Sequence, residues 1–158
     1  MLEDPGLYSY WAYENRPKIT WPNGAKVAFW VAPNIEFYEL NPPSNPHRKP
    51  WPLPSPAVPG YSIRDYGNRV GHIRQMNLLD KYGIRGSISL STALCEHHPE
   101  IIEMCMERNW EFFSHGIYNT RYTYGMSESQ EKRMIEDAMS TIKKHTDQDC
   151  VGYLAPAL

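Results

Sequence analysis

Five side chains that could act on a substrate follow predicted strands of this chain. Asn34 and Glu36 come after one apolar run, and His115, Asn119 and Arg121 come after another. Both runs are short and end in polar segments, which is typical of a buried strand that opens into a loop. Because the carboxyl ends of adjacent parallel strands meet on one face of an α/β domain, we expect these side chains to share a crevice.

Glu36 and His115 are the strongest candidates for chemistry in this group. A carboxylate and an imidazole together hold a divalent ion when a third nitrogen or oxygen ligand joins them. The same pair can also work without a metal as base and acid, with the carboxylate orienting or charging the imidazole. Two simpler readings stay open from the residues alone: His115 could be a packed imidazole, and Glu36 could cap the following loop.

Strand and helix patterns alternate along the chain. Apolar runs predict four strands, at residues 26–32, 84–90, 110–113 and 151–154. Helical patterns occupy the connections, at residues 65–82, 98–109 and 127–142. Gly83 marks the end of the first helix, and Ser127 with Gln130 has the spacing of a capping box. This order predicts an α/β fold with a parallel sheet and right-handed crossovers.

Two segments lie outside this alternation. Residues 1–24 predict an irregular N-terminal arm, and residues 42–59 hold eight of the fourteen prolines. That proline density excludes a helix or an inner strand, so we expect a lid loop whose Trp51 contacts the substrate. A sheet that ends on its fourth strand keeps an unpaired edge, which predicts that a second chain or a C-terminal half completes it.

The composition excludes several classes of partner. Lys and Arg number 16 and Asp and Glu 18, giving a net charge of −2 without the basic stripe that nucleic acid needs. The three cysteines lack zinc-site spacing and predict buried free thiols. With no signal-peptide pattern and no apolar stretch of membrane-spanning length, we expect a cytoplasmic homo-oligomer with no membrane partner.

Four motifs give the chain a family resemblance, and they occur in a consistent order: residues 21–27, 66–71, 114–116 and 154–157. With them the chain resembles the polysaccharide deacetylase (NodB-like, carbohydrate esterase 4) superfamily, and within it the branch of allantoinases and cyclic-imide hydrolases. The resemblance implies a distorted (β/α) barrel, of which this chain would supply the first half, about four βα units.

The resemblance also implies a metal-site pattern from which this chain departs. The family's deacetylases hold a divalent metal with an aspartate and two histidines, and a second aspartate acts as base. Carried over, the metal aspartate falls on Glu36, the base on Asn34, the first histidine on His115 and the second on Asn119. An amide cannot take a proton from water as a carboxylate does. The cofactor therefore stays open between a divalent metal (Zn or Mn), bound by Glu36 and His115, and none.

The resemblance favours hydrolysis of a C–N bond in a small linear or cyclic amide, imide or ureide. Glu36 and His115 would handle protons or share a metal, and Asn34, Asn119 and Arg121 would donate to the carbonyl or oxyanion. Three alternatives remain: a metal-dependent N-acetyl carbohydrate deacetylase, a self-processed two-chain amidohydrolase with a Ser or Thr nucleophile beginning its second chain, and an inactive binding barrel.

Overall fold

A computed structural model describes residue 6, residues 9–43 and residues 55–156 of the chain. Its centre is a parallel three-stranded sheet in the order β1-β2-β3, formed by Asn34–Ile35, Ser87–Leu90 and Glu111–Ser114. Helices connect the strands, as expected of an α/β fold. They are α1 Val58–Tyr66, a π-helical turn Gly67–Gly71, α2 His72–Lys81, α3 Leu94–His97, α4 Pro99–Glu107 and α5 Glu128–Thr146.

The two faces of the sheet differ in chemistry because side chains alternate along each strand. One face carries Ile35, Ile88, Leu90 and Phe112, which are all at most 1% exposed and pack against α2, α4 and α5 in a single core cluster. Core partners from the helices include Met76, Leu79, Ile101, Ile102, Cys105 and Ile142. The opposite face is more open, since Asn34 and Glu111 are exposed there and Phe113 is only partly buried.

The first predicted strand, residues 26–32, is wrong in both position and burial. Residues 26–30 form no strand and are exposed, with Phe29 at 77% and Trp30 at 67%. Pairing with β2 begins at Val31 and continues through hydrogen bonds to the carbonyls of Val31, Pro33 and Ile35. In the described residues nothing covers residues 26–30, and β1 itself pairs with β2 alone and so forms one edge of the sheet.

The last predicted strand, residues 151–154, is reduced to one parallel bridge between Tyr153 and Ser114. Two hydrogen bonds support it, from Ser114 N to Gly152 O and from Leu154 N to Ser114 O. The chain therefore runs beside β3 in the predicted place without forming a regular strand. The other two predicted strands, residues 84–90 and 110–113, are observed as the shorter β2 and the shifted β3.

The first helix begins earlier than predicted, at Val58 instead of Asp65. Pro59 lies in its first turn, where a missing N–H costs no hydrogen bond, so the end of the proline-rich segment is helical. The helix ends at Lys81, and Gly83 follows with φ of +63° as the stop predicts. The remainder of the predicted lid, residues 44–54, lies outside the described residues.

Two other sequence predictions are confirmed. Ser127 and Gln130 form the reciprocal hydrogen bonds of a capping box at the start of α5. Cys95, Cys105 and Cys150 are free and buried. Of the helices in the described part of the chain, none combines the length and apolar character needed to cross a bilayer.

Candidate active site

The candidate site lies at the carboxyl edge of the sheet, where Glu36 follows β1 and His115 follows β3. His115 is 3% exposed, and its Nε2 lies 3.3 Å from Oε1 of Glu36, whose side chain is 25% exposed. The backbone N of His115 donates to Leu90 O at 2.8 Å, which fixes the residue beside the end of β2. The two residues stand 79 positions apart, and the parallel sheet brings them together.

A carbonyl fixes the orientation of the imidazole. His115 Nδ1 lies 2.7 Å from the carbonyl oxygen of Leu154. Because a carbonyl oxygen only accepts, Nδ1 carries a proton and Nε2 is the nitrogen that faces the carboxylate. The Nε2 to Glu36 contact is a hydrogen bond when Nε2 is protonated, and Nε2 offers a lone pair when that proton leaves. The pair can thus hold one exchangeable proton in a defined place.

The turn after His115 depends on Gly116. Its φ is +75°, a left-handed conformation that side chains rarely adopt. An added Cβ would also meet Pro156 at 3.4 Å. Gly116 lets the chain leave β3 sharply and pass close to the residue 154–156 segment, whose carbonyl orients the imidazole.

Tyr38 extends the pair into a network. Its hydroxyl is the smallest of the influences that lower the pKa of Glu36. The same hydroxyl accepts a short hydrogen bond from Asn119 Nδ2. Asn119 is 4% exposed, and its Oδ1 is buried without a hydrogen-bond partner among the described residues.

The surroundings keep Glu36 ionised. The hydrogen bond from His115 is the main cause that lowers the pKa of Glu36 from its ordinary value. Burial acts in the opposite direction, while the charges of His115 and Arg64 and the hydroxyl of Tyr38 lower the pKa further. Glu36 is therefore present as a carboxylate at neutral pH.

A π-helical turn also supports the position of Glu36. Asn68 lies in the turn Gly67–Gly71 and is 7% exposed, and its Nδ2 donates to the backbone carbonyl of Glu36 at 3.0 Å. Insertions of this kind inside α-helices are frequent at functional sites. Here the turn lets a side chain between α1 and α2 hold the loop that carries the carboxylate.

The structure places the other predicted site residues differently. Asn34 lies on β1 with its side chain exposed and no hydrogen bond to another described residue. Arg121 does not point a free guanidinium at the pair: it binds Glu39 through two nitrogens, at 2.6 and 3.1 Å, and lies over the Tyr118 ring. Trp51 lies outside the described residues. The substrate-binding roles of all these residues remain predictions.

The residues that sequence reasoning missed are Tyr38, Glu39, Asn68 and Arg64. One signal could have found Tyr38. It comes two positions after Glu36, and residues two positions apart lie on the same side of an extended chain. Asn68 lies in one of the family motifs, residues 66–71, but Arg64 carried no signal, since only the packing of the first helix against the sheet brings these side chains near Glu36.

The donor set falls short of the metal site that the family pattern implies. No group of three or more His, Cys, Asp and Glu side chains in the described residues could hold a metal ion. Glu36 and His115 supply two ligands, whereas catalytic zinc sites use three protein ligands. A third ligand would have to come from outside the described residues, so the chemistry below is derived from the chain's own side chains.

Solved structures share this fold at low sequence identity. Puue allantoinase matches with a TM-score of 0.74 and 21% identity over 89% of this chain and 51% of its own. A probable polysaccharide deacetylase from Pseudomonas aeruginosa PAO1 matches with a TM-score of 0.74 and 24% identity, over 89% of this chain and 50% of its own. The chain thus spans about half the length of these structures, in agreement with a partial NodB-like barrel.

A pseudoenzyme of the CE4 family from Bacillus anthracis also matches, with a TM-score of 0.52 and 18% identity, over 58% of this chain and 32% of its own. No curated protein matches the chain. The family model described as polysaccharide deacetylase matches residues 64–158, which is more than half of the chain and includes His115. The chain belongs to the polysaccharide deacetylase family.

Proposed function

We propose that this chain forms the catalytic half of a hydrolase that cleaves a non-peptide C–N bond in a small amide, imide or ureide. The observation that carries the proposal is the pairing of His115 Nε2 with the Glu36 carboxylate at 3.3 Å, with Nδ1 held by Leu154 O. A carboxylate beside an imidazole of fixed tautomer is an arrangement suited to general acid–base catalysis.

In the proposed reaction, Glu36 acts as the general base and His115 acts as the general acid. Water attacks the carbonyl carbon, and the Glu36 carboxylate accepts a proton from that water. The C–N bond then breaks as His115, protonated on both ring nitrogens, gives its Nε2 proton to the leaving nitrogen, and Glu36 passes the proton taken from water to Nε2, which restores the pair. Proton transfers of this kind typically contribute about 10²–10⁴-fold to a rate.

Replacement of the family's metal ligands favours this reaction over sugar deacetylation. Asn119 stands where the pattern has a second histidine, and it is engaged with Tyr38. Metal-dependent N-acetyl carbohydrate deacetylation is the second candidate, because the matching family is named for deacetylases.

The test is a substrate panel with matched histidine variants. Purified protein is treated with EDTA and assayed on hydantoin, N-carbamoyl amino acids, succinimide and N-acetylglucosamine, with and without added Zn²⁺ or Mn²⁺. We expect metal-independent turnover of an amide, imide or ureide that is lost in His115→Ala and kept in His145→Ala, a control on the last turn of α5. Circular dichroism of both variants checks that they fold.

Three other outcomes of this panel would contradict the proposal. Unchanged turnover in His115→Ala refutes this site. Metal-dependent release of acetate from N-acetylglucosamine replaces the proposal by the deacetylase. Binding of a panel member without turnover under any condition favours an inactive binding barrel.

We also propose that a polypeptide supplying the other half of the barrel covers the open face of the sheet. Phe29 and Trp30 are 77% and 67% exposed, and a cavity of about 380 Å³ between Trp30, Phe113 and Tyr153 opens on that face. Exposed apolar surface of this kind marks an interaction site. The similar structures are about twice as long, which is the length such a half requires.

Mass spectrometry and light scattering of the protein purified from its native source test this partner. We expect either a single chain of about twice the length or a second chain of comparable length bound to this one. In both cases acrylamide should quench Trp30 less than in the isolated chain. A complex made only of copies of this chain would contradict the proposal and support a homo-oligomer instead.

A further inference from the structure

A small cavity beside the candidate site has no role in the proton transfers. It has a volume of about 200 Å³, and its lining includes Tyr38, Tyr61, Arg64, Glu39 and Thr120. Pockets for drug-sized ligands span roughly 300–1,000 Å³, so a ligand of this cavity is small. Tyr38 links the two places, because its hydroxyl belongs to the Glu36 network and its ring lines the cavity.

The cavity is lined by Arg64, whose charge helps to lower the pKa of Glu36 but which forms no close ion pair with a carboxylate among the described residues. The guanidinium of Arg64 lies over the Tyr38 ring, 5.0 Å from its centroid, and forms no ion pair in the described part of the chain. A ring face attracts a cation but leaves the N–H donors at its edge available. Those donors form a planar fork that fits a carboxylate.

The acidic residue that also lines the cavity does not cancel this charge. Glu39 is bound by Arg121 through two nitrogens, and Thr120 Oγ1 donates to it at 2.7 Å. Its charge is therefore already matched by that of Arg121. What remains for a ligand is the guanidinium of Arg64, next to a neutralised carboxylate.

We propose that this cavity binds the carboxylate of a small substrate, that Arg64 recognises it, and that the substrates are therefore carboxylate-bearing amides or ureides. The inference rests on the proposed hydrolase function and names its substrate class. The neutral N-acetyl sugars of the alternative function carry no carboxylate for Arg64 to bind.

The test compares two probes that differ only in charge, N-carbamoylglycine and N-carbamoylglycinamide. Their binding to unmodified protein, Arg64→Gln, Arg64→Lys and Arg74→Gln is measured by isothermal titration calorimetry. Arg74 is the matched control because it lies ten residues, or about three turns, farther along the same helical run and contacts only the Tyr66 hydroxyl among the described residues. Both arginines are exposed, so neither substitution should unfold the chain.

We expect N-carbamoylglycine to bind more tightly than the amide, and Arg64→Gln to weaken only the carboxylate probe, by roughly tenfold to a hundredfold. Arg64→Lys should recover part of the affinity, and Arg74→Gln should bind like the unmodified protein. Equal affinity for the two probes, equal effects of both arginine variants, or no binding of N-carbamoylglycine would each overturn the inference.

His115→Ala separates this inference from the proposed function. We expect it to abolish turnover while the preference for the carboxylate probe persists. Turnover that survives in His115→Ala refutes the hydrolytic site and leaves the Arg64 result to stand on binding alone. If every variant, including Arg64→Gln, keeps the preference for the carboxylate probe, the carboxylate site is refuted, whatever the turnover.

Discussion

Tyr38→Phe tests the hydrogen-bond network that joins Asn119 to Glu36. The substitution removes one hydroxyl and keeps the ring, so that Arg64 can still lie over it. Without the hydroxyl, the Asn119 amide loses its only side-chain partner among the described residues, and it is 4% exposed. The Glu36 carboxylate loses one of the hydrogen bonds that lower its pKa.

The magnitude follows from the buried amide. A buried polar group left without its partner costs about 1–3 kcal/mol. For a chain of this size, urea reduces the free energy of unfolding by about 2 kcal/mol per molar, so the midpoint should fall by about 0.5–1.5 M. The pKa of Glu36 should rise, because the Tyr38 hydroxyl no longer lowers it. The rise should be small, because the bond from His115, which is the main cause of the lowered pKa, remains.

Urea unfolding followed by tryptophan fluorescence gives the first result, and carbon NMR of the Glu36 carboxyl gives the second. Tyr82→Phe is the control: Tyr82 is 64% exposed and also lies under a cation, Lys81, at 5.4 Å. We expect no midpoint change in this control. Equal midpoints for the two tyrosine variants would refute the network.

A double-mutant cycle with Asn119→Ala isolates the contact. If the hydroxyl matters because it satisfies the amide, Tyr38→Phe should cost much less once Asn119 is gone, with a coupling energy of about 0.5–3 kcal/mol. The same cost in both backgrounds would show that Tyr38 acts through its packing instead.

Three further results are expected. Gly86→Ala should lower the free energy of unfolding by about 1–3 kcal/mol in urea, because the new Cβ would meet a buried indole ring at 3.0 Å, whereas Gly60→Ala meets nothing within 4 Å and should not. The second result concerns stability at acid pH, which should depend on Glu36 and Glu39. The hydrogen bond from His115 lowers the pKa of Glu36. Burial alone would raise the pKa of Glu39, but its hydrogen bonds lower that pKa on balance. Stability should therefore be complete above the ordinary value of 4.5 and decline as pH falls below it, and a flat acid profile would contradict this assignment. Burial raises the pKa of the Cys105 thiol to about 12, so iodoacetamide at pH 8 should alkylate it in urea but not in the native protein, as mass spectrometry would report.

Local sequence signals were sufficient where the relevant interactions are local. The capping box at Ser127 and the stop at Gly83 depend on backbone groups within a few residues, and both occur as predicted. The apolar run at residues 26–32 misled because its composition reports hydrophobicity and not what covers it. In the described residues that run has no sheet partner before Val31.

The sequence by itself determined the class of fold, the family and the pairing of Glu36 with His115, because parallel strands bring the residues after them to one edge whatever their separation. Only the tertiary structure decided how each site residue is used. Arg121 is bound to Glu39, Asn119 is bound to Tyr38, and Arg64 is left to face a cavity. Partner choice among polar side chains depends on distances of a few tenths of an ångström and on burial, and neither can be read from residue type or spacing.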